Sequence, residues 1–229
     1  MNRLLLLAST MTVIASPVAA QTILSLNAIG SAMAEPDQAV ANFEVQATKP
    51  DAASAQATVN QLITRALAAA RGLSNLSVTT GSYNSYATVP ADHQNTPSFT
   101  AEQSLTLIQP AAGGVPDAAF TNLLATLQSD GLLLTGLSGD LSAAGRQKLQ
   151  RVAVRNALTA LRDEANDIAT ALHKKVGALE TLSVDAGGGI IPPIGPRLMA
   201  MPASAPQSAP DNVNVSARVS AKIELDPAS

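Results

Sequence analysis

The chain has 229 residues and no cysteine, which excludes disulfide cross-links, thiol catalysis and thiolate metal sites. Aromatic residues make up 2% of it and tryptophan is absent, so sugar-stacking and base-stacking surfaces are not expected and the core must be aliphatic. Fourteen basic and 17 acidic side chains give a formal charge of −3, without the basic footprint of a nucleic-acid binder.

Residues 1–20 read as a signal peptide. Arg3 supplies a short positive start, Leu4 to Ile14 is mostly apolar, and Val18-Ala19-Ala20 offers small residues before a cut ahead of Gln21. The apolar run is shorter than the roughly 20 residues a spanning helix needs, and no later segment provides a transmembrane helix. No cysteine follows the cut, so a lipoprotein anchor is not expected. Removing the leader takes Arg3 with it and shifts the formal charge from −3 to −4. The expected product is one exported domain over 21–229, placed in the periplasm, with outer-membrane association or secretion as alternatives.

Ile23 to Ala34 reads as a first strand, in which Gly30 marks a bulge or a close backbone approach. Glu35-Pro36-Asp37-Gln38 is a turn, and Ala39 to Thr48 a second strand with Val40, Phe43 and Val45 as its bulky residues. The short connection predicts an antiparallel hairpin. Pro50-Asp51 opens a helix that runs to about Arg71, capped by Asp51, with Ala55, Val59, Leu62, Ile63, Ala66 and Ala70 buried. Leu76 to Tyr83 is a strand, Asn84 to Pro97 a polar loop, and Phe99 to Gln109 a strand with Phe99, Ala101, Leu105 and Leu107 on one face.

Pro116-Asp117 starts a second helix, with Phe120, Leu123, Leu124 and Leu127 inward and Asp130-Gly131 as its stop. Leu132 to Ser138 is a short strand. The stretch Ser142 to Gly177 organises the rest: Val154, Leu158, Leu161, Ala165, Ile168 and Leu172 recur at steps of four and three, the spacing of a helix laid on a core. Ser142 is its expected N-cap and Gly177 its stop. Leu179 to Val184 is a strand. Ala186 to Asn212 reads as a long Pro/Gly/Met-rich loop, and Val213 to Leu225 closes the chain with strict alternation, a strand with one buried face. The order is ββαββαβαββ, an α+β fold with a largely antiparallel sheet on which three helices pack.

The landmarks, in order, are Gly30; Ala34-Glu35-Pro36-Asp37 leading into Ala39-Val40-Ala41-Asn42-Phe43-Glu44-Val45; Gly81-Ser82-Tyr83; and Phe99-Thr100-Ala101. After them come the Ala-rich stretch Arg155-Asn156-Ala157 to Ala169-Thr170-Ala171, closing at Val176-Gly177, and the final Val-rich strand. This series resembles the SIMPL-domain family of exported bacterial proteins, which includes periplasmic immunogenic antigens. The resemblance implies an exported domain loosely associated with envelope or oxidative-stress tolerance, and self-assembling. It brings no catalytic residues.

Candidate sites are sparse. His93 and His173 belong to no metal spacing such as H-E-x-x-H, and Gly136-Leu137-Ser138-Gly139 is not G-x-S-x-G. Asp163 and Asp167 at i, i+4 are weak cation ligands on an open helix face, and Gly187-Gly188-Gly189 lacks the Lys-Ser/Thr of a P-loop. No metal or other cofactor is expected. Lys148, Arg151, Arg155 and Arg162 cluster on one flank of the long helix, either as a solvated face with Asp163, Glu164 and Asp167 as partners or as a dock for anionic lipid or an acidic partner. Ile190, Ile191, Ile194, Leu198, Met199 and Met201 are apolar residues set among prolines, fitting either a flap over the fold or a contact with another subunit. The expected partners are further copies of the chain or an envelope protein, with peripheral membrane contact and no nucleic acid. The leading expectation is a non-catalytic envelope protein; an envelope hydrolase and a small-ligand carrier stand as alternatives.

Overall fold

The structure of the protein, a computed structural model, describes residues 22–88, 97–186 and 210–228. Within them the elements follow the order read from the sequence: β1 Thr22–Ala34, β2 Gln38–Lys49, α1 Ala52–Ala70, β3 Ser77–Thr88, β4 Ser98–Pro110, α2 Ala118–Ser129, β5 Leu133–Asp140, α3 Ala143–Ala171, β6 Lys174–Asp185 and β7 Val213–Pro227. The strands divide into two antiparallel sheets, β3-β4-β2-β5 and β1-β7-β6.

The expected β1–β2 hairpin does not form. β1 pairs along its whole length with β7, from Thr22 opposite Leu225 to Ala34 opposite Val213, while β2 lies between β4 and β5. The turn at Pro36 is present but carries the chain from one sheet to the other. Asp37 N–H donates to Asp140 O at 3.0 Å and Asp37 O accepts from Ala111 N at 2.9 Å, so the turn's backbone groups are spent on β5 and the end of β4. The strict alternation of β7, with Val215, Ala217, Val219, Ala221, Ile223 and Leu225 buried, supplies the matching partner for β1.

Helices α1 and α2 cover one face of the four-stranded sheet. Ala55, Val59, Ile63, Ala66 and Ala70 of α1, with Phe120, Leu123, Leu124 and Leu127 of α2, pack on Ala41, Phe43, Val45, Leu105 and Leu107. Both helices start on an aspartate whose carboxylate accepts a backbone N–H, Asp51 from Ser54 and Asp117 from Phe120, each at 2.8 Å. These bonds favour the ionised form and hold both carboxyl groups below the usual carboxylate range. A depressed folded-state pKa stabilises above the unfolded value of about 3.8 and is lost as pH falls through the folded one. The variant carrying Asp51→Ala and Asp117→Ala is therefore expected to be less stable than the parent at pH 7 in urea titrations, with the gap narrowing well below pH 3.8.

Helix α3 covers the three-stranded sheet with a face that only overlaps the one the aliphatic periodicity selects: Leu161 and Ala165 are common to both. The buried residues are Leu149, Ala153, Ala157, Leu161, Ala165 and Ala169, every fourth position, whereas Leu158 is 36% and Leu172 53% exposed. Backbone proximity is the reason. A Cβ on Gly30 would lie 2.1 Å from Ala157 N and 2.3 Å from Ala153 O, so the helix backbone rests directly on β1 and mostly alanines fit beneath it. Steps of four precess by about 40° per step, so the buried stripe winds round the helix. The helix also ends early. Leu172 is its C-cap, His173 takes φ 52° in the left-handed region, and β6 starts at Lys174. Gly177 is not the stop; it lies in β6, where a Cβ would meet Asp226 Oδ2 at 2.6 Å. β3 likewise continues to Thr88, opposite Ser98, into the stretch that reads as polar loop.

The two halves of the fold meet at a small junction. Asp37's carboxylate accepts from the N–H and, at 2.7 Å, the Oγ–H of Ser142, while Ser142 Oγ accepts from Gly145 N and so caps α3. Gln38 Nε2 donates to Leu141 O, and Arg146 pairs with Asp140 at 2.6 Å. Gly139 and Gly114 pack so closely on Pro36 and Pro210 that a Cβ on Gly139 would fall 2.5 Å from Pro210 Cβ.

Candidate interaction surfaces

The sequence-selected residues do not converge. Ile190, Ile191, Ile194, Leu198, Met199 and Met201, together with His93 and Gly187-Gly188-Gly189, lie outside the described residues. His173 is exposed on the turn between α3 and β6. Ser138 sits in the β5 ladder opposite Val40. Among the described residues no three His, Asp or Glu side chains stand close enough to hold a metal ion.

Lys148, Arg151, Arg155 and Arg162 are all exposed on α3, strung over about 21 Å of helix. The carboxylates of Asp163, Glu164 and Asp167 are not their partners: none of the four cations makes an ion pair among the described residues. Beside them a groove of about 430 Å³ is bordered by Gln147, Gln150, Arg151, Val154 and Arg155 of α3 and by Ala186 at the end of β6. A second hollow, about 190 Å³, lies on the face of the four-stranded sheet turned away from α1 and α2, between Glu44, Ser82, Glu102 and Thr135. Within it Asn84 Nδ2 donates to Glu102 at 3.2 Å, and nearby Thr106 Oγ1 donates to Asn42 Oδ1 at 2.9 Å.

The larger surface feature was not singled out by residue chemistry. On the face of β1 turned away from α3, Ile23 is 50%, Ile29 61% and Met33 67% exposed, and along β6 Val176, Leu179, Leu182 and Val184 are also open. The signal lay in the composition of residues 22–34, where apolar residues occupy both alternating faces and no charge interrupts them. A strand buried on one face only should be polar on the other.

These features define an α+β protein of two helix-backed antiparallel sheets, whose distinctive surfaces are apolar strands and a cationic helix. The chain belongs to the SIMPL family: the family model described as SIMPL, a protein of unknown function (DUF541), matches residues 24–223, most of its length. Comparison with curated proteins gives no match. Among the described residues no helix is long and apolar enough to cross a membrane.

Proposed function

We propose that this SIMPL protein is exported to the cell envelope and acts there by contact, assembling with copies of itself or with another envelope protein, in a role tied to stress tolerance. The observation that carries the reading is the open apolar surface of the three-stranded sheet, where Ile23, Ile29 and Met33 stand in solvent on one strand. Aliphatic side chains presented together on a strand mark a contact surface, since leaving them in water forgoes the free energy of burial. The leader-like residues 1–20 support export. Size-exclusion chromatography with light scattering on the purified protein tests assembly. Species larger than one chain, growing with concentration, are expected; a clean monomer at tens of micromolar overturns self-assembly and leaves contact with another protein.

The groove beside α3 favours a second reading, a carrier of small anionic amphiphiles. Its volume falls within the range of small-molecule sites, and Arg151 and Arg155 suit a carboxylate or phosphate head. Native mass spectrometry of the protein purified from its host tests this: a co-purified ligand supports it and a bare chain counts against it.

A further inference from the structure

Among the described residues the two sheets leave four strand edges open, β1 and β6 on one, β3 and β5 on the other. An open edge offers unpaired N–H and C=O groups to any other strand, and proteins blunt it with bulges, charges, proline or a covering element. Three of the four edges are blunted. β6 shifts register twice against β7 and carries Lys174, Lys175, Glu180 and Asp185. β3 shifts between Thr80 and Tyr83, and β5 is only eight residues long and irregular beside Asn42. β1 has no bulge, charge or proline, and among the described residues only a single helix side chain reaches its edge: it runs 13 residues with no register shift, no proline and no charged side chain. The side-chain bond to its backbone, from Asn156 Nδ2 to Ser31 O at 2.8 Å, falls near its C-terminal end and leaves Ile23 to Ile29 clear.

We infer that Ile23 to Ile29 of β1 pairs antiparallel, across a twofold axis, with the same stretch of a second copy of this chain; the inference rests on the self-assembly reading above and specifies its contact. The stretch is self-complementary when centred on Leu26. That register sets Ile23 opposite the partner's Ile29, Ser25 opposite the partner's Asn27, Leu24 opposite the partner's Ala28, and Leu26 opposite its own copy. Every cross-strand pair is apolar with apolar or polar with polar, and no like charges meet. The outer-face isoleucines gain burial from each other, and the two three-stranded sheets become one six-stranded sheet. Seven paired residues span about 24 Å, a small interface, so the dimer is weak and concentration-dependent.

The test is light scattering after size-exclusion chromatography over a range of concentrations, with circular dichroism to confirm that each variant folds. Ile23→Lys with Ile29→Lys places like charges face to face across the axis and is expected to weaken dimerisation at least tenfold. Ile23→Glu with Ile29→Lys places opposite charges face to face and is expected to restore it. A parent that stays monomeric throughout overturns the self-assembly reading itself. A parent oligomer that the double lysine variant leaves intact overturns only the β1 contact, as does loss without recovery in the charge-swapped variant. Because the chain has no cysteine, Ser25→Cys with Asn27→Cys gives an independent readout: mild oxidation is expected to yield a covalent dimer, and a monomeric product overturns the proposed register.

Discussion

Gly30→Val is expected to lower the stability of the protein by about 3 kcal/mol, read as a shift of the urea midpoint at unchanged slope. The cost comes from what the new side chain meets. The three nearest atoms to a Cβ at this position are Ala157 N at 2.1 Å, Ala153 O at 2.3 Å and Ala157 Cα at 2.8 Å, all backbone of α3. Backbone inside a helix cannot rotate aside; the whole helix must lift, and lifting it opens the contact of Ala157, Leu161 and Ala165 with Leu26, Ala28 and Val219. Gly81 provides the control. A Cβ there also meets an atom at 2.1 Å, but that atom is Ser104 Oγ, the tip of a side chain on an exposed residue that can turn away. Gly81→Ala is therefore expected to stay within about 0.5 kcal/mol of the parent. Equal losses at the two sites would show that the distance alone, rather than the nature of the neighbour, sets the cost.

The same contact explains which parts of the fold were legible in the sequence. Helices α1 and α2 were largely readable because Val59 and Ile63 of one and Phe120, Leu123, Leu124 and Leu127 of the other face the core at helical spacing and an aspartate side chain starts each helix, so local chemistry and tertiary packing agree; Leu62, read as buried, is half-buried. In α3 they disagree. Leu158 and the C-cap Leu172 flank the contact, and the face that touches the sheet is Leu149 and Leu161 with four alanines, because approach distance as well as side-chain size decides the packing. Hydrophobic periodicity weighs leucine above alanine and so selects an offset stripe that shares Leu161 and Ala165 with the buried one. The short turn at Glu35-Pro36-Asp37 was equally misleading about partners. A tight connection implies a hairpin only when the next strand in sequence is the best available partner, and β1 finds a longer match in β7, some 180 residues further on. The cationic flank of α3 was visible in the sequence and is exposed as expected, but its lack of carboxylate partners among the described residues depends on side-chain placement, which spacing does not encode. The unblunted edge of β1 follows from topology: an edge exists only once it is known which strands sit in the middle.

Phe43→Ala is expected to cost about 3–5 kcal/mol, toward the upper end of that range. Phe43 is buried in β2, opposite Leu105 on one side and Leu134 on the other, under α1 and α2. With three phenylalanines and no tryptophan in the chain, few other side chains have the volume to replace it. Six alanines, Ala39, Ala41, Ala47, Ala55, Ala66 and Ala101, share its core with Val45, Leu105 and Leu107, and alanine has no rotamer by which to reach into a cavity, which limits how far the hole can close and raises the cost of truncation. Phe43→Leu keeps much of the volume and is expected to cost about 1 kcal/mol. Phe43 and Gly30 lie in different halves, so the variant carrying Phe43→Ala and Gly30→Val is expected to lose the sum of the two single costs. Whether both losses appear in one urea transition reports on the junction. The bonds from Ser142 to the Asp37 carboxylate and the packing of Gly139 on Pro210 join the halves through backbone as well as side chains, so a single transition is expected in the parent and in each single variant. Two separated transitions, one moved by Phe43→Ala alone and the other by Gly30→Val alone, would mean that the junction transmits no stability and that each helix-backed sheet stands or falls by itself.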